Sequence, residues 1–212
     1  MQISIIGAGK MGQGIAARAL AGQHAVRIID KDKVRGANTA AEIRDRQPGA
    51  DVQPGGDEAL AAAGIVVLAL KYPITMEVAT QYASVLDGKV VIDIANPANW
   101  DTYDPATSTG TSAAEELANK IPGARVVKAF NTTFSTSLMD GRADGQSLDV
   151  FIASDDAQAK KTVAEFAVSG GLNPIDVGPL RHARALEAFQ ILHMSLQSNM
   201  PSPWHSAIKI LP

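Results

Sequence analysis

The sequence predicts an α/β fold, a doubly wound parallel sheet followed by a small C-terminal α/β lobe. Three observations carry this expectation. Residues 1–94 alternate short apolar, β-branched runs with helix-forming segments, which calls for parallel strands joined by right-handed crossovers. The run Gly64-Ile65-Val66-Val67-Leu68-Ala69-Leu70 is apolar throughout, as a central strand covered on both faces has to be. The opening run Ile3-Ser4-Ile5-Ile6 breaks directly into Gly7-Ala8-Gly9-Lys10-Met11-Gly12, and helix-forming residues 15–21 follow.

That order of strand, glycine turn and helix is the context in which G-x-G-x-x-G binds a dinucleotide. Gly7 permits the tight turn, Gly9 lets backbone N–H groups approach a pyrophosphate, and Gly12 lets the helix pack closely on the strand. The helix N-terminus, with its unpaired N–H groups and its dipole, receives the charge. Gly22 closes this first helix.

Residues 25–29 form a second strand ending in Asp30, which lies eighteen residues past Gly12. An acidic side chain at this spacing meets the ribose hydroxyls of an adenosine. Residues 33–46 read as a polar surface helix, and Pro48-Gly49 and Pro54-Gly55-Gly56 bracket a short edge element. A short helix at 59–63 leads into strand 64–70, followed by a helix at 74–85 and a strand at 89–94. A long loop over 95–111 follows, and loops of this length are often functional. Thr111-Ser112-Ala113-Ala114-Glu115 has the pattern of a helix N-cap, opening a helix to about Lys120. A sixth strand at 125–130 delivers Asn131-Thr132-Thr133-Phe134. Residues 141–145 look like a break. Beyond it are expected a strand at 148–153, a helix at 156–168, a strand near 174–177 and the longest helix, 180–199. The domain reading is therefore a nucleotide-binding domain over 1–140 and a small lobe over 141–212 that completes a cleft for a second substrate.

Composition narrows the function. The 212 residues are 46% hydrophobic and 19% charged, ordinary for a soluble globular chain. A net charge of −3 offers no basic footprint for nucleic acid or an anionic membrane. With no cysteine, disulfides and thiolate chemistry are excluded. No apolar run approaches the ~18 residues of a membrane span, and the cytoplasm is the expected compartment.

In an open α/β sheet, ligands bind outside the carboxyl ends of the strands. Four segments converge there: the glycine turn, Leu70-Lys71-Tyr72-Pro73, Asn96-Pro97 and Asn131-Thr132. The expected cofactor-binding set is thus Gly7, Ala8, Gly9, Lys10, Met11, Gly12, Asp30, Lys31, Leu70, Lys71, Tyr72, Pro73, Asn96, Pro97, Asn131 and Thr132. Asn96, Asn131 and Thr132 could orient a carboxamide. Asp30 favours NAD, because facing a 2′-phosphate at about 4 Å it would repel by about 4 kcal/mol. Lys31, Lys33 and Arg35, directly after it, supply the cations that NADP needs. His24, His182, His193 and His205 form no metal-ligand set, and no nucleophile elbow or triad is present. Trp100, Tyr103, Phe130, Phe134 and Trp204 could stack on a flat second ligand or simply pack.

These residues resemble the coenzyme F420-dependent NADP oxidoreductases and, among their relatives, the oxidoreductase domains of metalloreductases. The resemblance runs over essentially the whole chain. It rests on the glycine turn with Met11 and Gly14, on Lys128-Ala129-Phe130-Asn131-Thr132, and on Asp176-Val177-Gly178-Pro179-Leu180 followed by Arg184 and Glu187. It implies hydride transfer between a nicotinamide (NADP or NAD) and a deazaflavin such as F420, or a flavin, stacked in the cleft. Such transfer asks for orientation more than acid–base help, so no catalytic side chain is assigned. Two positions depart from the family pattern. Ile29-Asp30-Lys31 stands where members reading the 2′-phosphate carry Gly-Ser-Arg or Gly-Ser-Lys, and Asn131 stands where some carry histidine. The alternatives are a β-hydroxyacid or imine reductase, which would carry a larger helical domain with a catalytic lysine, and a dinucleotide-sensing module without turnover. A homodimer is expected by analogy with Rossmann reductases of this size, and the apolar stripe Leu186, Phe189, Leu192/His193, Leu196 could face either the sheet or a partner.

Overall fold

The computed structural model describes residues 1–211. The first half alternates as expected. β1 (Gln2–Ile6), α1 (Lys10–Ala21), β2 (Ala25–Ile29), α2 (Lys33–Arg46), β3 (Val52–Pro54), α3 (Asp57–Ala62) and β4 (Ile65–Leu68) follow one another. α4 (Tyr72–Gln81), α5 (Ala83–Leu86) and β5 (Val90–Asp93) come next, and a long loop leads to α6 (Ala113–Lys120) and β6 (Arg125–Lys128). The remainder is α7 (Ser135–Asp140), β7 (Arg142–Ala143), β8 (Gln146–Ser147), β9 (Asp149–Ala153), α8 (Ala157–Ser169), β10 (Asn173–Gly178) and α9 (Ala183–Ser195).

Six strands pair in parallel in the order β3-β2-β1-β4-β5-β6. The order reverses between β1 and β4, so the loops leaving these two strands diverge and open a crevice at their carboxyl ends. The segment expected as a C-terminal lobe begins at the β7–β8 hairpin, and β9 and β10 then add to the same sheet outside β6. β9 is antiparallel to β6 through Lys128 and Ala153, and β10 is parallel to β9. The strands are apolar on both faces because both faces are covered. Along β4, Ile65 and Val67 join a cluster with Ile15, Phe130 and Phe166, while Val66 and Leu68 join Leu86, Leu117 and Leu180 on the other side.

Several local expectations are corrected. The single helix expected over 74–85 is two helices, broken at Tyr82, and it starts at Tyr72 because Pro73 fits a first turn. The helix expected over 180–199 is a 3₁₀ turn, Leu180–His182, then α9, then a second 3₁₀ turn, Gln197–Asn199. At 13 residues α9 is not the longest helix; α2 has 14. α7 was not expected at all. Its residues mix good helix formers (Leu138, Met139) with poor ones (Ser135, Thr136, Ser137, Asp140), and Leu138 packs against Gly14 of α1.

α9 is fastened to the sheet by a buried charge network. The Lys128 ammonium, at the end of β6 and fully buried, lies 2.8 Å from Asp93 Oδ2 of β5 and 2.7 Å from Glu187 Oε1 of α9. It also donates to the Ala95 carbonyl. Glu187 in turn accepts the N–H groups of Ala113 and Ala114 at the start of α6. Burial alone would lower the Lys128 pKa, but the two carboxylates raise it above the ordinary value and keep the ammonium charged. Burial, with Asp93 nearby, raises the Glu187 carboxyl although Lys128 opposes this.

Removing the cation while leaving both buried carboxylates should cost about 3–5 kcal/mol. Lys128→Met is expected to lose that much in urea unfolding. A loss under 1 kcal/mol would show that the network does not hold α9 in place.

Candidate functional site: a cleft at the carboxyl ends of the strands

The glycine turn opens the crevice. Gly7 has φ +114°, and a Cβ there would lie 2.4 Å from the Ala69 carbonyl oxygen. A Cβ on Gly12 would lie 2.0 Å from the Gly7 carbonyl oxygen, so α1 approaches β1 only with glycine at both positions. Gly9 precedes α1 without any side-chain cap, and a Cβ built on it meets nothing within 4 Å. The first-turn amides of α1 therefore face open space. This fits a bound diphosphate: donors without intrahelical partners, the positive end of a twelve-residue helix, and room above them.

Asp30 sits at the end of β2 with only 3% of its side chain exposed. It accepts the Ala8 N–H at 2.9 Å and the Asp32 N–H at 3.0 Å, and Arg35 contacts its oxygens at 2.7 and 2.8 Å. Burial opposes ionisation, but Arg35 and the two amides hold the carboxyl below its usual range. The carboxylate thus ties the glycine turn to α2. Arg35 itself is 54% exposed, and Lys31 and Lys33 are exposed beside it.

Next to the turn lies a cavity of about 680 Å³. Gly9, Lys10 and Met11 line one side, and Ala69, Leu70 and Lys71 from the end of β4 continue it. Ile94, Ala95, Asn96 and Asn131, from the ends of β5 and β6, form the floor. Phe130, wholly buried, takes φ +63°, a left-handed conformation that costs an aromatic residue about 1–3 kcal/mol. Thr133 stabilises this bend through its N–H and its hydroxyl, both donated to the Phe130 carbonyl. The bend turns the chain sharply off β6 immediately before Asn131. The two asparagines then interlock. Asn96 Nδ2 donates to the Asn131 carbonyl at 2.9 Å, and Asn131 Nδ2 donates to Asn96 Oδ1 at 3.0 Å and to the Leu186 carbonyl at 3.2 Å.

The opposite wall comes from farther along the chain. Phe134, Thr136, Gln190, Met194, Trp204 and His205 line it, and Trp100 flanks the mouth from the 95–111 loop. Trp204 meets Phe134 edge-on at 5.3 Å, and Lys71 Nζ stands 5.2 Å over the Trp100 ring. Trp204 is held by its N–H to Gln197 Oε1 (2.8 Å) and by Thr136 Oγ1 to its carbonyl. The buried His193 contacts Gln190 Oε1 and Ser206 Oγ, which ties the Pro-rich turn to α9; burial lowers its pKa, so the ring is neutral.

Of the expected cofactor-binding residues, Gly9, Lys10, Met11, Leu70, Lys71, Asn96 and Asn131 meet around this cavity. Gly7, Ala8 and Gly12 shape the turn behind it, and Asp30 and Lys31 lie at the end of β2. Tyr72 points elsewhere, donating to Glu116; burial and that carboxylate push its phenol up to about 12. Pro97 lines a neighbouring cavity of about 400 Å³ together with Glu187. Pro73 and Thr132 do not line the main cleft. Gln190, Met194 and His205 were not expected in it, since only α9 and the chain beyond bring them there.

Residues 2–97 match the family described as NADP oxidoreductase, coenzyme F420-dependent. The metalloreductase STEAP3 of Rattus norvegicus is 38% identical over 109 residues, 51% of this chain and 21% of that protein. The chain thus spans about a fifth of the length of this curated relative. The crystal structure of a hypothetical protein, SMa0349 of Sinorhizobium meliloti, is 31% identical over 85% of this chain and 86% of that one, with a TM-score of 0.74. A candidate F420-dependent NADP-reductase from Arthrobacter sp. FB24 superposes over 100% of both chains, with a TM-score of 0.83 at 28% identity. The region over residues 2–97 belongs to the coenzyme F420-dependent NADP oxidoreductase family. The cleft lies at the carboxyl ends of the strands, at the switch point between β1 and β4 where open α/β sheets bind ligands.

The lowered Asp30 pKa has a pH consequence. The stability it contributes is fully present above about pH 4 and is lost as pH falls through the lower folded-state value. Asp30→Asn should therefore destabilise the protein more at pH 7 than at pH 3, read by denaturant melts at both. An equal deficit at the two pH values would mean that the charge is not what Asp30 contributes.

Proposed function

We propose that this chain is a cytoplasmic NAD(P)H-dependent oxidoreductase whose second substrate is a flat redox ring, a deazaflavin such as coenzyme F420 or a flavin. In this reading residues 141–212 complete the ring's side of the cleft. The observation that supports it most is the pairing of two unlike walls. An uncapped helix N-terminus with open space above it faces a wall bearing Phe134 and Trp204, with Trp100 at the mouth. Bound nicotinamide would supply the hydride at C4, and the acceptor ring would take it together with a solvent proton. The chain's part is to hold and orient. The α1 amides take the diphosphate, the Asn96–Asn131 pair fixes the floor, and the indoles exclude water from the rings. Orientation of two reactants can supply about 7–11 kcal/mol of a barrier, which suits a site without an acid–base pair.

Within the same reading the cofactor is NADP. The Asp30 oxygens already accept four contacts from the chain itself, and Arg35 shields their charge. Arg35 and Lys31 then offer cations for a 2′-phosphate. A homodimer belongs to the reading as well. Leu186 and His193 face inward, whereas Phe189, Leu192 and Leu196 stay exposed on the outer face of α9, where a second copy would cover them. Light scattering that shows only monomer overturns this part.

Fluorescence titration should find NADPH bound at least tenfold more tightly than NADH, about 1.4 kcal/mol. Arg35→Ala should remove most of that difference. Tighter binding of NADH to the wild type would return Asp30 to the ribose. In turnover with F420 or FMN, Trp204→Ala should raise KM for the ring at least fivefold and leave NADPH affinity within twofold. If NADPH binds but no flavin, deazaflavin or quinone oxidises it, the redox-ring reading fails and the dinucleotide-sensing alternative is favoured.

A further inference from the structure

The chain as a whole is acidic, with 22 Asp and Glu against 19 Lys and Arg, but its main cleft is not. Among the described residues no Asp or Glu lines that cavity, whereas Lys10 and Lys71 both do. A cleft lined by one sign of charge concentrates ligands of the opposite sign. Lys10 is the first residue of α1, beside the amides that face a diphosphate, so the dinucleotide accounts for it. Lys71 stands elsewhere.

Lys71 follows β4, on the other side of the switch point from the glycine turn, and immediately precedes α4. Its side chain is exposed and its ammonium is uncommitted. Lys89, Lys128, Lys160 and Lys209 place theirs on carboxylates or carbonyls, but Lys71 Nζ meets neither among the described residues. What it meets is the Trp100 ring, 5.2 Å from the centroid. A ring face steadies a cation without supplying a lone-pair acceptor, so the N–H donors stay available to a ligand.

Trp100 also decides which ligand that is. It sits in a tight turn of the 95–111 loop, closed by the Tyr103 N–H on the Asn99 carbonyl at 2.8 Å. Either side of it, Ala98 and Tyr103 pack with Phe134, Ile191 and Met194 of the far wall. The Lys71 ammonium is therefore held at the mouth on the side of Phe134 and Trp204, not over the α1 amides.

The geometry points to Lys71, steadied by Trp100, as the residue that binds an anionic group on the second ligand: a phosphate on the side chain of the flat ring. The inference rests on the redox-ring reading above and adds what that ring carries. It gives Lys71 to the second ligand rather than to the dinucleotide. A flavin or deazaflavin with a phosphate-bearing side chain pairs the ammonium; the same ring with an uncharged side chain leaves it unpaired.

The test uses the intact protein saturated with NADP+, which fills the diphosphate site so that a ring's phosphate cannot occupy it. Equilibrium binding then compares FMN with riboflavin, and coenzyme F420 with its phosphate-free deazaflavin core. At least one phosphorylated ring should bind tenfold or more tightly than its uncharged counterpart, and the pair that shows this identifies the ring. Lys71→Met should bring the preference within twofold, and Lys71→Arg, which keeps a cation, should retain it. Neither should change NADPH affinity by more than twofold. If charged and uncharged rings bind the wild type equally, or if Lys71→Met keeps the preference, the assignment is overturned and the redox-ring reading stands. Loss of NADPH affinity in Lys71→Met with the ring preference intact overturns it too, and gives Lys71 to the dinucleotide. If NADPH binds but no ring does, the redox-ring reading fails, and this assignment with it.

Discussion

The buried Lys128 ammonium is the contact on which the cleft depends. It stands between one carboxylate from the sheet and one from α9, and the α9 carboxylate also takes two amides of α6. One cation thus joins β5, β6, α6 and α9. Such a network has little net worth against an apolar core of the same shape, but losing one partner leaves charges stranded. Its consequence here is geometric. By fixing where Glu187 lies on α9, it also sets where Gln190, His193 and Met194 face on the following turns.

From that anchor the far wall is assembled by short polar links rather than by regular structure. His193 and Gln197 hold the Pro-rich turn, and the turn carries Trp204 against Phe134. At its end, Lys209 and the Ile210 N–H both reach the buried Asp149 at the start of β9. The strained Phe130 belongs to the same design. A left-handed aromatic is tolerated because the core encloses its ring and Thr133 secures its carbonyl, and the chain leaves β6 at the angle that presents Asn131.

At the opposite end of the crevice, Asp30 shows how one residue type at one spacing supports two chemistries. An Asp with free oxygens reads ribose hydroxyls. An Asp whose oxygens are taken by Ala8, Asp32 and Arg35 braces the glycine turn and leaves cations as the exposed groups. The difference lies in a side chain five positions away and an amide twenty-two positions back.

The sequence by itself determined the features whose causes are local. Glycines at 7 and 12, a β-branched run before them and helix formers after them leave few backbone solutions, and continuous apolar runs at 64–70 and 89–94 require strands covered on both faces. Strand alternation then placed Lys71, Asn96 and Asn131 at one edge of the sheet. Only the tertiary structure decided which way those side chains turn and what faces them. The entry of Gln190 and Trp204 into the cleft depends on partners remote in sequence, and the ionisation of Asp30 and the bend at Phe130 depend on side-chain pairings that folding brings into place. The energies that set these features come from burial and long-range pairing, which periodicity along the chain does not record.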